Sequence, residues 1–121
     1  MTIKNFRELD IWKKGMEIVK DTYVITQKFP KQESYGLANQ MRRSAVSIPS
    51  NIAEGRRRGS KKEYRKFLLV AFGSWAELET QLEIAKRLPF GKNLDFFKAD
   101  SLLDEIMRIL NKMIPSLQAT S

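Results

Sequence analysis

The chain of 121 residues contains no cysteine and no histidine. Without cysteine it has neither a disulfide framework nor a thiolate nucleophile. Without histidine it lacks the commonest general base and the commonest transition-metal ligand. Serine-histidine and cysteine-histidine nucleophilic sites, zinc sites of the usual ligand sets and the Glu-x-x-His pattern of di-iron bundles are therefore excluded. Long apolar runs are missing too: the longest, Phe67 to Phe72, falls far short of the ~20 residues needed to span a bilayer. The N-terminal stretch Met1 to Asp10 is polar and lacks a signal-peptide hydrophobic region. No strand pattern, repeat or low-complexity linker is present. These absences give the expectation of a cytoplasmic, non-enzymatic protein with no cofactor, no metal and no membrane association. Acidic side chains are outnumbered, 14 against 22 basic ones, for a net charge of +8. A negatively charged partner is expected.

Helical periodicity runs through nearly all of the chain, and its length suits one domain. A first helix is predicted over about 10–28, with Trp12, Met16, Val19 and Tyr23 on one stripe and Ile11, Gly15, Ile18 and Ile25 beside it. Gly15 costs a helix about 1 kcal/mol relative to alanine, which points to close approach of another helix or to a tolerated surface glycine. Phe29-Pro30 ends the element. The second helix is predicted over about 33–57, with Gly59 as a left-handed stop. Ser60-Lys61-Lys62-Glu63 reads as a capping box that opens a third helix over about 61–88. Tyr64, Phe67, Leu68, Ala71, Trp75, Leu78, Leu82 and Ala85 recur along it at nearly heptad spacing, the pattern of a bundle seam. Asn93 or Asp95 can cap a fourth helix over about 94–115, and Gln118 to Ser121 should fray. The economical architecture is all-α, an antiparallel up-and-down four-helix bundle joined by short turns.

The second helix carries two coherent faces. Leu37, Met41, Ala45, Ile48 and Ile52 form an oily one, while Gln40, Ser44, Ser47, Asn51 and Glu54 form one of short hydrogen-bonding groups. Short polar side chains suit close approach to a neighbouring chain or ligand better than the long Lys and Glu of a solvated face. Pro49 lies within this helix and removes one backbone donor, at about 3 kcal/mol. Either a second helix starts at Pro49 or the helix continues with a kink. Ser47, Ser50 and Asn51 can satisfy the freed backbone groups, which favours the kinked, continuous helix.

The densest charge lies at the next turn. Arg56, Arg57, Arg58, Lys61, Lys62, Arg65 and Lys66 make seven basic residues in eleven, against one acid, Glu63. Such a cluster repels itself unless neutralised, and phosphates neutralise it well. Arginine forks suit phosphate, the start of the third helix offers free amides, and Tyr64 could stack on an unpaired base. These eight residues, Tyr64 included, are the candidate nucleic-acid contacts, with RNA favoured and DNA possible. Arg42 and Arg43 lie near 20 Å from Arg56 along the helix, too far for the same small site. Arg43 is expected to pair with Glu54, Glu77 or Glu79 instead.

Glu54, Glu77 and Glu79 are the carboxylates from which a magnesium site without histidine could be built. Glu77 and Glu79 point about 200 degrees apart on one helix and cannot converge on an ion. Glu54 is better explained as a buried polar partner of Arg43 and Asn51. Gly73 and Ser74, with Ala71 and Ala76, make a patch of small residues suited to a helix or subunit contact.

Two blocks, Gln40 to Gly55 and Ala71 to Leu82, with Phe6 to Leu9, Trp12, Phe29-Pro30, Glu33, Tyr35, Gly36 and Leu37, resemble the four-helix-bundle family of 23S rRNA intervening-sequence proteins. That family's relatives include the accessory variability protein of diversity-generating retroelements. The resemblance spans about Phe6 to Pro115 and implies a homo-oligomeric ring, a homopentamer, with nucleic acid as the suspected ligand. Gln40, Arg43, Ser44, Ser47, Asn51, Glu54, Gly73, Ser74 and Glu77 are then candidates for the subunit boundary or for structural polar contacts. The alternative function is an accessory scaffold for a nucleic-acid enzyme such as a reverse transcriptase.

Overall fold

The computed structural model describes residues 5–118, so Ala119 to Ser121, part of the segment expected to fray, lie outside the described residues. Among the described residues there are four long helices and no strand: α1 Asp10–Thr26, α2 Leu37–Arg57, α3 Lys61–Arg87 and α4 Phe97–Ser116. Short 3-10 helices at Phe6–Glu8, Lys31–Glu33 and Pro89–Asn93 precede or join them. Successive helices run back along one another, as residue pairs show: Gly15 lies on Pro49 while Thr26 meets Arg42. Gly55 lies on Tyr64 and Phe67 while Ser47 meets Ser74. Lys86 meets Asp100 while Trp75 meets Leu103. The fourth helix packs on both α3 and α1, which closes the arrangement.

The helix ends differ from the sequence expectation where a side chain competes for backbone groups. The second helix starts at Leu37 because Pro30 holds an extended conformation, Lys31–Glu33 forms its own turn and Gly36 leaves the helical region. The Glu33 carboxylate then accepts from the Leu37 amide at 3.4 Å. The fourth starts at Phe97, with Leu94 extended and the Asp95 carboxylate accepting from the Phe97 amide at 2.9 Å. The first ends at Thr26, two residues early, where the buried hydroxyls of Thr22 and Thr26 bond back to Ile18 and Thr22 carbonyls at 2.6 and 2.7 Å. Threonines that spend their hydroxyls on their own helix can be buried without an orphan donor.

The core is drawn from one face of each helix. Met41, Ala45, Ile48 and Ile52, all fully buried, oppose Leu68, Ala71 and Leu78 of α3, with Ile18 of α1 and Ile106 and Leu110 of α4 equally buried. In α1 the stripe of Ile11, Gly15, Ile18 and Ile25 faces inward together with Thr22 and Thr26, Trp12 and Val19 pack partly buried beside it, and Met16 and Tyr23 remain about two-fifths exposed. Removing a side chain such as Leu78 would cost roughly 2–5 kcal/mol.

The second helix passes through Pro49 without interruption. The carbonyl left without a donor is that of Ala45, but the short side chains serve the next two. Ser50 donates to the Val46 carbonyl at 2.8 Å, and Asn51 donates to the Ser47 carbonyl at 2.8 Å and to its hydroxyl at 2.9 Å. The proline ring also lies close against Gly15. A Cβ there would stand 3.2 Å from the Pro49 Cβ, so the two helices meet where one has no side chain.

Candidate nucleic-acid interface and adjoining polar groove

The turn between α2 and α3 occupies Arg58 to Ser60. The Arg58 amide bonds the Gly55 carbonyl, and Gly59 turns left-handed at φ +82°. Glycine meets this without the Cβ strain of other residues. Ser60 accepts from the Glu63 amide at 3.1 Å, which starts α3 and leaves the amides of Lys61 and Lys62 outside the helix's own bonding. Gly55 sets how near the two helix ends come. A Cβ at Gly55 would lie 2.6 Å from the Phe67 Cβ and 3.3 Å from the Tyr64 carbonyl oxygen.

That approach brings the arginines onto aromatic rings. Arg56 stands over Tyr64 at 5.7 Å, Arg57 over Phe6 at 5.2 Å and Arg58 over Phe67 at 5.1 Å from the ring centroids. Such contacts hold a guanidinium in place and leave its edge open to other ligands. Among the described residues one ion pair touches this cluster, Arg58 with Glu54 at 3.4 Å. Arg56 and Arg65 each keep a buried Nε with no hydrogen-bond partner, while Lys61, Lys62 and Lys66 are exposed. Cations in this number with so few anions among them are attractive to phosphate.

Tyr64 does not fit the role of a stacking platform for a base. It is 6% exposed, packs under Gly55 and carries Arg56 over its ring. Burial pushes its phenol pKa up, with Arg56 pulling the other way, and its hydroxyl has no partner. Its function here is to carry Arg56. Phe6 and Phe67, the other two supports, were not foreseen as such.

The polar face of α2 lies beside α3 and forms a groove of about 330 Å³. Gln40, Arg43, Ser44 and Ser47 line it from α2, and Ser74, Glu77 and Gln81 from α3. Ser47 and Ser74 hydroxyls bond across it at 2.7 Å. Ser44, Ser74 and Gln81 are each less than a tenth exposed, and the Gln81 Oε1 is buried without a partner. Gln81 was missed by sequence reading, although it stands one heptad beyond Ser74 and so on the same side of α3.

The expected partners of Arg43 are placed differently. Glu54 is more than half exposed and bound to Arg58, so it is not a buried partner of Arg43 and Asn51, and Asn51 folds back onto Ser47. Glu79 opens on the far side of α3, in a groove shared with α4. Glu77 lines the same groove as Arg43 but makes no ion pair with it. Arg42 is held by α1, its Nε donating to the Thr26 hydroxyl at 2.9 Å and its plane over Tyr23 at 4.7 Å. The small-residue patch divides: Ala71 and Ser74 are buried, while Gly73 and Ala76 are exposed and a Cβ on Gly73 would meet nothing. Among the described residues no three acidic side chains gather where they could hold a metal ion, and no helix is long and apolar enough to cross a membrane.

Four helices around one core, with an unneutralised arginine-lysine cluster at one turn, define the class: an all-helical protein with a basic end. The chain belongs to the 23S rRNA-intervening sequence protein family, whose family model matches residues 7–112. A solved structure from Bacteroides thetaiotaomicron, a protein of unknown function from the S23 ribosomal protein family, shares the fold. It superposes with a TM-score of 0.70 at 20% identity, covering 90% of this chain and 99% of that one. A search of curated proteins finds no match.

Proposed function

We propose that this protein is a non-enzymatic, cytoplasmic RNA-binding protein that takes RNA or an RNA–DNA hybrid on the basic turn between α2 and α3, through phosphate contacts. The observation that carries the reading is the state of the turn's cations. Seven side chains share one ion pair among the described residues, and two guanidinium groups keep a buried Nε unbonded. A cluster of cations with one carboxylate partner among the described residues is well served by phosphate oxygens, which accept charge-assisted hydrogen bonds from its exposed members.

The protein acts as a homo-oligomeric ring, a pentamer by analogy with its family. Gly73 and Ala76, with the exposed Leu69 and Ile84 on the same side of α3, supply an apolar face for a neighbouring subunit. Five copies would carry 5 × 8 = +40, and a strand that spans several turns gains avidity of ~100-fold or more. The test is binding of structured RNA, duplex DNA and an RNA–DNA hybrid to nuclease-treated parent protein and to Arg56/Arg57/Arg58→Glu. Loss of RNA binding in the variant supports the reading. A parent that binds none of the three overturns it and leaves the turn as a steering surface for a protein partner such as a reverse transcriptase.

A further inference from the structure

The groove between α2 and α3 carries one buried acceptor without a partner and two exposed charges, one of each sign. The Oε1 of Gln81 is buried and unpaired, and Glu77 and Arg43, one on each helix, enter no ion pair among the described residues. The hydroxyls of Ser47 and Ser74 already bond each other. The groove therefore asks for a ligand that offers N–H donors to Glu77 and Gln81 and, at its other end, acceptors to Arg43. At about 330 Å³ it stands at the small end of ligand sites, the size for one planar ring system.

We propose that this groove holds a single guanine base, presented by the strand whose phosphates lie on the basic turn. The inference rests on the reading of that turn as a nucleic-acid interface. Guanine places N1–H and the 2-amino group side by side, as a carboxylate and an amide oxygen require, and carries O6 and N7 at the adjoining edge for an arginine fork. Adenine turns an N1 acceptor toward Glu77. Uracil has one N–H flanked by two carbonyls, and cytosine sets an acceptor beside its amino group. None of them offers two adjacent donors with an acceptor next to them. No aromatic side chain lines the groove, so preference comes from hydrogen bonds rather than stacking. Arg43 lies thirteen residues before Arg56 on the same helix, about 20 Å along its axis, a span that a few nucleotides cross.

The experiment measures binding of oligouridines that carry one central guanine, inosine or adenine, to the parent protein, Glu77→Gln and Arg56/Arg57/Arg58→Glu. Guanine should bind about tenfold tighter than adenine, with inosine, which lacks the 2-amino group, between them. Glu77→Gln should bring the guanine strand to the adenine level, and the arginine triple should weaken all strands alike. Equal binding of all three strands to the parent overturns the guanine site and leaves the basic turn standing. If no strand binds, the turn reading fails, and the groove is judged by guanosine and adenosine monophosphate titrated against the Gln81 side-chain amide resonance. A shift with the guanosine nucleotide alone supports the site. No shift, or a shift that follows only protein dilution and so marks a second copy in the groove, overturns it.

Discussion

The two ends of α3 treat charge in opposite ways. At its start, Arg56 to Lys66 carry seven cations of which one is paired, and Arg56, Arg57 and Arg58 lie on Tyr64, Phe6 and Phe67, with Arg58 alone also reaching a carboxylate. Toward its end, Lys86 is held by Asp100 at 2.8 Å and Glu83 at 3.4 Å, and Arg87 approaches Glu83 at 3.8 Å. On α4, Arg108 pairs with Asp104 at 2.9 Å. The same helix could have placed acids near its first turn, and apart from Glu63 it does not. A cation that is spent within the fold serves the fold, whereas one that is anchored but unspent is available to something else.

The largest expected effect breaks this comparison at the unspent end. Arg56/Arg57/Arg58→Glu should lower RNA affinity by more than about 100-fold at moderate salt, read by fluorescence anisotropy. The matching reversal at the spent end, Lys86→Glu with Asp100→Lys, should change it less than about twofold.

Gly55→Ala sharpens the same contrast through packing. The new Cβ would press on Phe67 and on the Tyr64 carbonyl, forcing the two helix ends apart. Urea unfolding should show a loss of roughly 1–3 kcal/mol. RNA binding should weaken with it, because the arginine supports move. Gly15→Ala, against the Pro49 ring at 3.2 Å, should cost less and leave RNA binding alone.

The spent end should respond to pH. Although burial alone would lower it, the pKa of Lys86 is raised, because Asp100 and Glu83 hold its charged form. A group raised in the folded state contributes stability fully below its unfolded value near 10.4, and loses it as pH climbs through the folded value. Lys86→Met should therefore cost about 0.2–1 kcal/mol at pH 7 and progressively less as the pH rises above ~10.

The smallest effect concerns Asp21 of α1. Burial pushes its carboxyl pKa up, Asp95 adds to this and Lys98 and Lys28 oppose it, and its Oδ2 is buried without a partner. A raised carboxyl pKa penalises the folded state at neutral pH, and the penalty disappears once pH falls below the unfolded value of about 3.9. Asp21→Asn should stabilise the protein by a few tenths of a kcal/mol at pH 7. That gain should shrink toward pH 4 in parallel thermal melts.

Much of this arrangement is written in local spacing. The oily face of α2, the Gly59 stop, the Ser60 cap and the heptad seam of α3 are short-range patterns, and the structure uses each of them. The seam also contained the answer for Tyr64, the first residue of the buried stripe, whose place there outweighs its position among cations. Other features depend on contacts between helices that spacing does not encode. Glu54 is not among them: Arg58 stands four residues on, within local reach, while Arg43 lies eleven back, about 16 Å along the helix. Phe6 supports Arg57 from the far end of the sequence. Gly55 reads as one more glycine near a helix end until Phe67 is seen against it.

The measurement that tests the central claim most directly is the salt dependence of RNA binding by the parent protein and by Arg56/Arg57/Arg58→Glu. If the unspent cations are the interface, log affinity should fall steeply and linearly with log salt for the parent, and the slope should flatten in the variant by about 2 or more. A parent slope near zero, or one unchanged by the reversal, would contradict the account.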